Sequence, residues 1–79
     1  MKYSVETGLF KNEKFALTQK EMLIRKGYAS RIDEVKIERK KHLSVRVGLF
    51  GSSEEAQMMA NQLISNERLK AKVIEINAA

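Results

Sequence analysis

Tyr3-Ser4-Val5-Glu6-Thr7-Gly8-Leu9-Phe10 and Leu43-Ser44-Val45-Arg46-Val47-Gly48-Leu49-Phe50 share Ser, Val, Gly, Leu and Phe at the same places. The correspondence runs on: Asn12 matches Ser52, Ala16 matches Ala56, and Leu23-Ile24 matches Leu63-Ile64. With one residue inserted, Ile32 and Val35 match Val73 and Ile76. Two copies of a unit of roughly forty residues are too few to stack as a solenoid. The expectation is instead that both fuse into one sheet, giving a single domain over 1–79 with repeats near 3–38 and 42–77.

Each copy opens with a strand. Tyr3, Val5 and Thr7 alternate with Ser4 and Glu6, and Leu43, Val45 and Val47 alternate with Ser44 and Arg46. Period-two alternation sets one face against a core and the other toward water. Gly8 and Gly48 are read as strand ends, where the chain turns. Asn12 and Ser52 then stand at N-cap positions, and Ser52 with Glu55 has capping-box spacing. Ala56, Met59, Ala60, Leu63 and Ile64 form the apolar stripe of the second helix, and Phe15, Ala16, Met22 and Leu23 that of the first. Gly27 marks the end of the first helix.

Further strands are expected near Tyr28–Ile37 and Ala71–Ile76. Their alternation breaks, since Ile32 and Val35 differ in parity, as do Val73 and Ile74. Either a bulge restores the phase, or Val35, Ile37 and Ile74 add apolar surface to the open face. Glu38-Arg39-Lys40-Lys41 reads as a charged hairpin tip without the usual Gly or Asn. The order β-α-β, β-α-β predicts an α+β, ferredoxin-like fold: a four-stranded antiparallel sheet with two helices on one face. Its first and third strands are central, so the repeated segments lie side by side and the other sheet face is bare.

Composition limits the chemistry. The chain has 79 residues, no cysteine and one histidine, His42. A chain so short favours a surface site over a deep pocket. Nucleophilic catalysis lacks a Cys–His or Ser–His–Asp arrangement, and no ligand spacing suits a metal. No cofactor is expected. Glu54-Glu55 suits the first turn of a helix through the macrodipole, and Gly48-Leu49-Phe50-Gly51 lacks the ending of a P-loop. No apolar run is long enough to span a bilayer, and no signal peptide is expected; a domain working outside the membrane would then be an excised piece with a start methionine. The sequence points to a binding module.

The net charge of +5 favours polyanionic partners: nucleic acid, anionic lipid or wall polymers. RNA-recognition domains of this topology stack bases on aromatics of the two central strands. Here the outward positions are Ser4, Glu6, Ser44 and Arg46, none aromatic, so nucleic acid is disfavoured. RNA binding or protein interaction on the same scaffold stays as the alternative.

Tyr3-Ser4-Val5, Gly8, Phe10, Ala16, Leu23 and Gly27-Tyr28, then Val45-Arg46-Val47-Gly48, Phe50 and Ala56, resemble the SPOR domain from Tyr3 to Ile76. The resemblance implies a noncatalytic peptidoglycan-binding module of the bacterial cell envelope, on the extracytoplasmic side. Such modules occur in cell-division proteins, sporulation proteins and N-acetylmuramoyl-L-alanine amidases. It further implies a preference for glycan strands stripped of stem peptides, bound on the sheet face away from the helices. Glu6 stands where the family usually has Gln, Leu9 where it has a small residue, and His42 where some members have an aromatic. Arg46 fits the common Val-Arg-Val-Gly pattern. A stripped strand is a regularly spaced polyanion, because amidase cleavage leaves a lactyl carboxylate on each muramic sugar. Ser4, Glu6, Ser44 and Arg46, rimmed by Arg31, Lys36, Lys41 and His42, are the expected binding residues.

Overall fold

The computed structural model describes residues 2–76; Met1 and residues 77–79, which include the end of the second expected repeat, lie outside them. The chain forms β1 (Lys2–Phe10), α1 (Glu13–Arg25), β2 (Ser30–Ile37), β3 (Lys40–Phe50), α2 (Ser53–Glu67) and β4 (Lys72–Ile76). The strands make one antiparallel sheet in the order β2-β3-β1-β4. This is the ferredoxin-like arrangement the repeat predicts, with the two copies of the motif adjacent at the centre.

The central pairing explains why the motif holds a glycine. Val5 faces Val47 and Glu6 faces Arg46, but the next pair is Gly8 with Val45, so Thr7 is an extra residue. On the other side Tyr3 faces Phe50, which leaves an extra residue in β3 next to Gly48. Each central strand thus carries a bulge at its glycine rather than ending there. Bulges sharpen local twist while the strand continues, and both strands run on to Phe10 and Phe50. Gly48 has φ +73°, a conformation that costs a side-chain-bearing residue. A Cβ at Gly8 or Gly48 would lie 2.5 Å from the ring of Phe10 or Phe50 respectively. The phenylalanine two residues on folds back over the missing side chain.

The helices start and stop where local chemistry dictates. Asn12 Oδ1 accepts from the Lys14 amide at 2.9 Å, and Ser52 Oγ accepts from the Glu55 amide at 3.2 Å. These satisfy donors that the first helical turn leaves free. At the end of α1, Gly27 takes φ +94°, its amide donates to Ile24 O, and the Tyr28 amide donates to Leu23 O. That is a Schellman termination. Ending α2 without glycine, Arg68 adopts φ +55°.

Val5, Leu43, Val45 and Val47 from the sheet meet Ala16 and Leu23 of α1 and Ala56, Ala60 and Leu63 of α2. Burying each larger aliphatic stabilises the fold by roughly 1.5–3 kcal/mol. The alanines bring the helix backbones close to the sheet. Met22 and Met59 pack at the margin. Two expected members do not join: Phe15 is 61% exposed and Ile64 47% exposed. Each stands to one side of the Ala–Leu stripe on its helix. No bulge occurs in β2, whose pairing with β3 is continuous from Ser30–Val47 to Ile37–Lys40. The broken alternation therefore puts Ile32 in the core and Val35 and Ile37 on the open face, as Ile74 is opposite Ser4.

Candidate functional site

Strand register builds one row across the open face. Arg31 of β2 faces Arg46 of β3, Arg46 faces Glu6 of β1, and Glu6 faces Lys72 of β4. Two residues along β2, Asp33 faces Ser44 on the same face.

Side chains link these residues from edge to edge. Lys72 Nζ lies 3.5 Å from Glu6 Oε1, and Ser44 Oγ donates to Glu6 Oε2 at 2.5 Å. Arg46 Nε donates to Ser44 Oγ at 3.0 Å, and its Nη1 donates to Asp33 Oδ2 at 3.1 Å. The same Asp33 oxygen accepts from Arg31 Nε at 3.3 Å. Arg31 Nη1 then donates to Gly48 O at 2.9 Å, and its Nη2 to Ser4 Oγ at 3.4 Å. Ser4 Oγ closes the chain by donating to Gly48 O at 2.7 Å. Charge-assisted bonds of this kind are shorter and stronger than neutral ones.

The network revises the expected roles of the serines. Ser4 and Ser44 have the predicted parity, but both are wholly buried rather than wet. Their hydroxyls are engaged by the protein itself, beneath the arginine and glutamate side chains. Glu6 and Arg46 are also well covered, with side chains 11% and 16% exposed. The accessible charges of the row are Arg31, Asp33 and Lys72.

The remaining expected residues divide between the faces. His42 lies on the open face opposite Val35, with Nδ1 3.0 Å from Lys40 O. Lys36 and Lys41 face each other on the helix-side parity of the hairpin, so they do not rim the open face. Lys41 meets Glu34 at 3.0 Å, and that hydrogen bond holds its ammonium above the usual lysine range. Sequence alone leaves the phase of β2 open, and its register with β3 puts Lys36 on the helix-side parity instead of the expected rim.

Register also brings Asp33 and Lys72 into the network, which alternation alone does not single out. The signal was present: Asp33 shares the parity of Arg31, and Lys72 that of Ile74. On one side of the row lie Leu9, Val35 and Ile37, and on the other Leu49 and Ile74. Leu9, Ile37 and Leu49 are each more than two-fifths exposed. Beside Glu6, an open groove of about 300 Å³ is lined by Thr7, Gly8, Lys70, Ala71 and Lys72. Among the described residues no aromatic side chain joins the row: Tyr3, Phe10, Tyr28 and Phe50 pack against the core, and Phe15 is on α1. Among the described residues no three His, Cys, Asp or Glu gather as metal ligands, and no helix is long and apolar enough to cross a membrane.

The family profile of the SPOR domain matches residues 2–75. The chain belongs to the SPOR domain family. Among solved structures, the peptidoglycan binding domain of the B. subtilis cell wall lytic enzyme CwlC is similar, with TM-score 0.75 and 25% identity. That match covers 96% of this chain and 90% of the other. The RlpA SPOR domain from Pseudomonas aeruginosa has TM-score 0.74 at 19% identity, covering 96% of this chain and all of that one. At that identity the likeness speaks for the SPOR fold alone. A search of curated protein sequences returns no significant match.

Proposed function

We propose that this SPOR chain is a noncatalytic module that binds peptidoglycan glycan strands in the bacterial cell envelope, outside the cytoplasm. The observation that carries the reading is likeness along nearly the whole chain to the peptidoglycan binding domain of CwlC. Its setting would be a larger protein, such as an N-acetylmuramoyl-L-alanine amidase or a cell-division or sporulation protein. Within it, repeats 3–38 and 42–77 act as one domain.

The chemistry of the open face supports a preference for stripped glycan. Arg31 and Arg46 offer guanidinium groups to lactyl carboxylates, and the flanking Leu9, Leu49 and Ile74 offer apolar contact to the sugar rings. Ser4 and Ser44 serve from beneath, fixing the arginines and Glu6. His42 contributes at the flank. Lys36 and Lys41, on the other parity, act only through the long-range field.

Sedimentation with purified sacculi tests this. Binding is expected to rise after amidase digestion and to fall with salt, since screening acts beyond about 8 Å at physiological ionic strength. Equal, salt-insensitive binding to digested and undigested walls would overturn the preference. Tight binding to RNA oligomers with none to sacculi would overturn the wall reading itself.

A further inference from the structure

Asp33 sits differently from the other carboxylate of the row. Glu6 is 11% exposed, with Ser44 on one oxygen and Lys72 on the other. Asp33 is 40% exposed, and one oxygen, Oδ2, takes both guanidinium contacts. It stands on β2, one of the two edge strands, on a short side chain that one torsion can turn toward solvent.

Both arginines have anchors besides Asp33. Arg46 is held at Nε by Ser44 Oγ, and Arg31 by Gly48 O and Ser4 Oγ. Both serine hydroxyls are buried and braced in turn by Glu6 or Gly48 O. If Asp33 swings away, two fixed guanidinium groups are left facing the space a carboxylate had filled. Groups anchored in this way lose little freedom when a ligand arrives.

We propose that Asp33 is an internal competitor: it occupies a carboxylate site between Arg31 and Arg46 that a muramic lactyl carboxylate takes by displacing it. The identity of the incoming carboxylate rests on the peptidoglycan reading; the two-arginine site does not. Asp33 thereby sets the affinity of the face, holding it weak and reversible, and makes a free carboxylate a requirement for entry. An uncharged amide, as in an unstripped strand, cannot replace it.

The test uses the whole chain, with Asp33→Asn and Asp33→Ser as site variants. Glu34→Gln is the control: it makes the same change in net charge on the other parity, where Glu34 pairs with Lys41. N-acetylmuramic acid is titrated while the side-chain Nε–H signals of Arg31 and Arg46 are followed by NMR; N-acetylglucosamine, which has no carboxylate, is titrated alongside. Folding is checked by circular dichroism. Releasing two partly exposed ion pairs predicts about tenfold tighter binding of N-acetylmuramic acid to either folded Asp33 variant. Glu34→Gln should match wild type, and N-acetylglucosamine should gain nothing. Equal affinity of wild type and Asp33 variants, an equal gain in Glu34→Gln, or no shift of the arginine signals in any protein overturns the proposal. Digested sacculi separate the two readings. A gain for N-acetylmuramic acid with no sacculus binding in any variant sinks the wall reading and keeps the site. Strong wild-type sacculus binding with no gain in the variants does the reverse.

Discussion

Glu6 and Arg46 are direct partners across the two central strands, yet Ser44 stands between their side chains and each ion-pairs elsewhere. Arg46 pairs with Asp33 and Glu6 with Lys72. Opposite charges at equivalent positions of a repeat suggest an exposed ion pair worth about 0–1 kcal/mol. The observed arrangement is instead a covered relay whose centre is a buried hydroxyl.

Ser44→Ala should therefore cost more than a surface change. It removes the donor to Glu6 and the acceptor of Arg46 together, leaving two covered charged groups short of a partner. A loss of about 1–3 kcal/mol is expected in urea denaturation. A loss within experimental error of zero would show that the relay carries no stability.

Binding separates the two ends of the relay. Arg46→Ala should weaken pelleting with digested sacculi while circular dichroism stays native. Glu6→Gln, which keeps an acceptor for Ser44 and removes a negative charge, should leave binding unchanged or strengthened. Normal binding by folded Arg46→Ala removes that arginine from the site.

The two bulge glycines are not equivalent. Alanine at either meets a phenylalanine ring at 2.5 Å, but only Gly48 has a positive φ. Gly48→Ala should lower stability by about 1 kcal/mol more than Gly8→Ala, the usual cost of a side chain in left-handed backbone. Thermal unfolding of both variants measures the difference.

The hairpin between β2 and β3 turns on Glu38 and Arg39, at φ +51° and +68°. A two-residue turn with both φ positive is the place for Asn-Gly. The double variant Glu38→Asn with Arg39→Gly should gain about 1–2 kcal/mol, raising the denaturation midpoint with no change in its slope.

Glu67 makes the stability of the fold depend on pH in the acid range. Lys26 donates to its Oε1 at 2.6 Å and the Tyr28 hydroxyl to its Oε2 at 3.1 Å. The Lys26 bond is the main reason its carboxyl titrates below the usual range. A carboxyl with a depressed folded pKa stabilises above its unfolded value, about 4.5, and that stability disappears as pH falls through the folded value. Glu67→Gln should unfold more easily than wild type at pH 7, and the two melting curves should converge as pH falls through that window. A gap that persists undiminished at low pH would assign the effect to packing.

The fold was legible because the repeat names both central strands and their parity. Ser4, Glu6, Ser44 and Arg46 were placed on the right face from alternation alone. What alternation cannot report is cover: Arg31, Asp33 and Lys72 arrive from other strands, and only their register places them over the serines. The glycines misled for a related reason, since a bulge and a strand end carry the same residue. Lys36 went to the wrong face because Ile32 and Val35 left the phase of β2 open until its pairing was known.

The row carries three cations against two carboxylates, and Lys36, Arg39, Lys40 and Lys41 stand exposed on the hairpin beyond it. On the proposed function, encounter and residence would therefore fall to different residues. On that reading, an anionic strand would be drawn in by the hairpin lysines, whose loss would slow association and flatten its salt dependence. Once seated, it would dissociate at a rate set by Arg31, Arg46 and the hydroxyls beneath them, because affinity differences among variants of one interface fall mostly on dissociation. Lysine changes on the hairpin would thus act on the association rate, and arginine changes on the sheet on the dissociation rate.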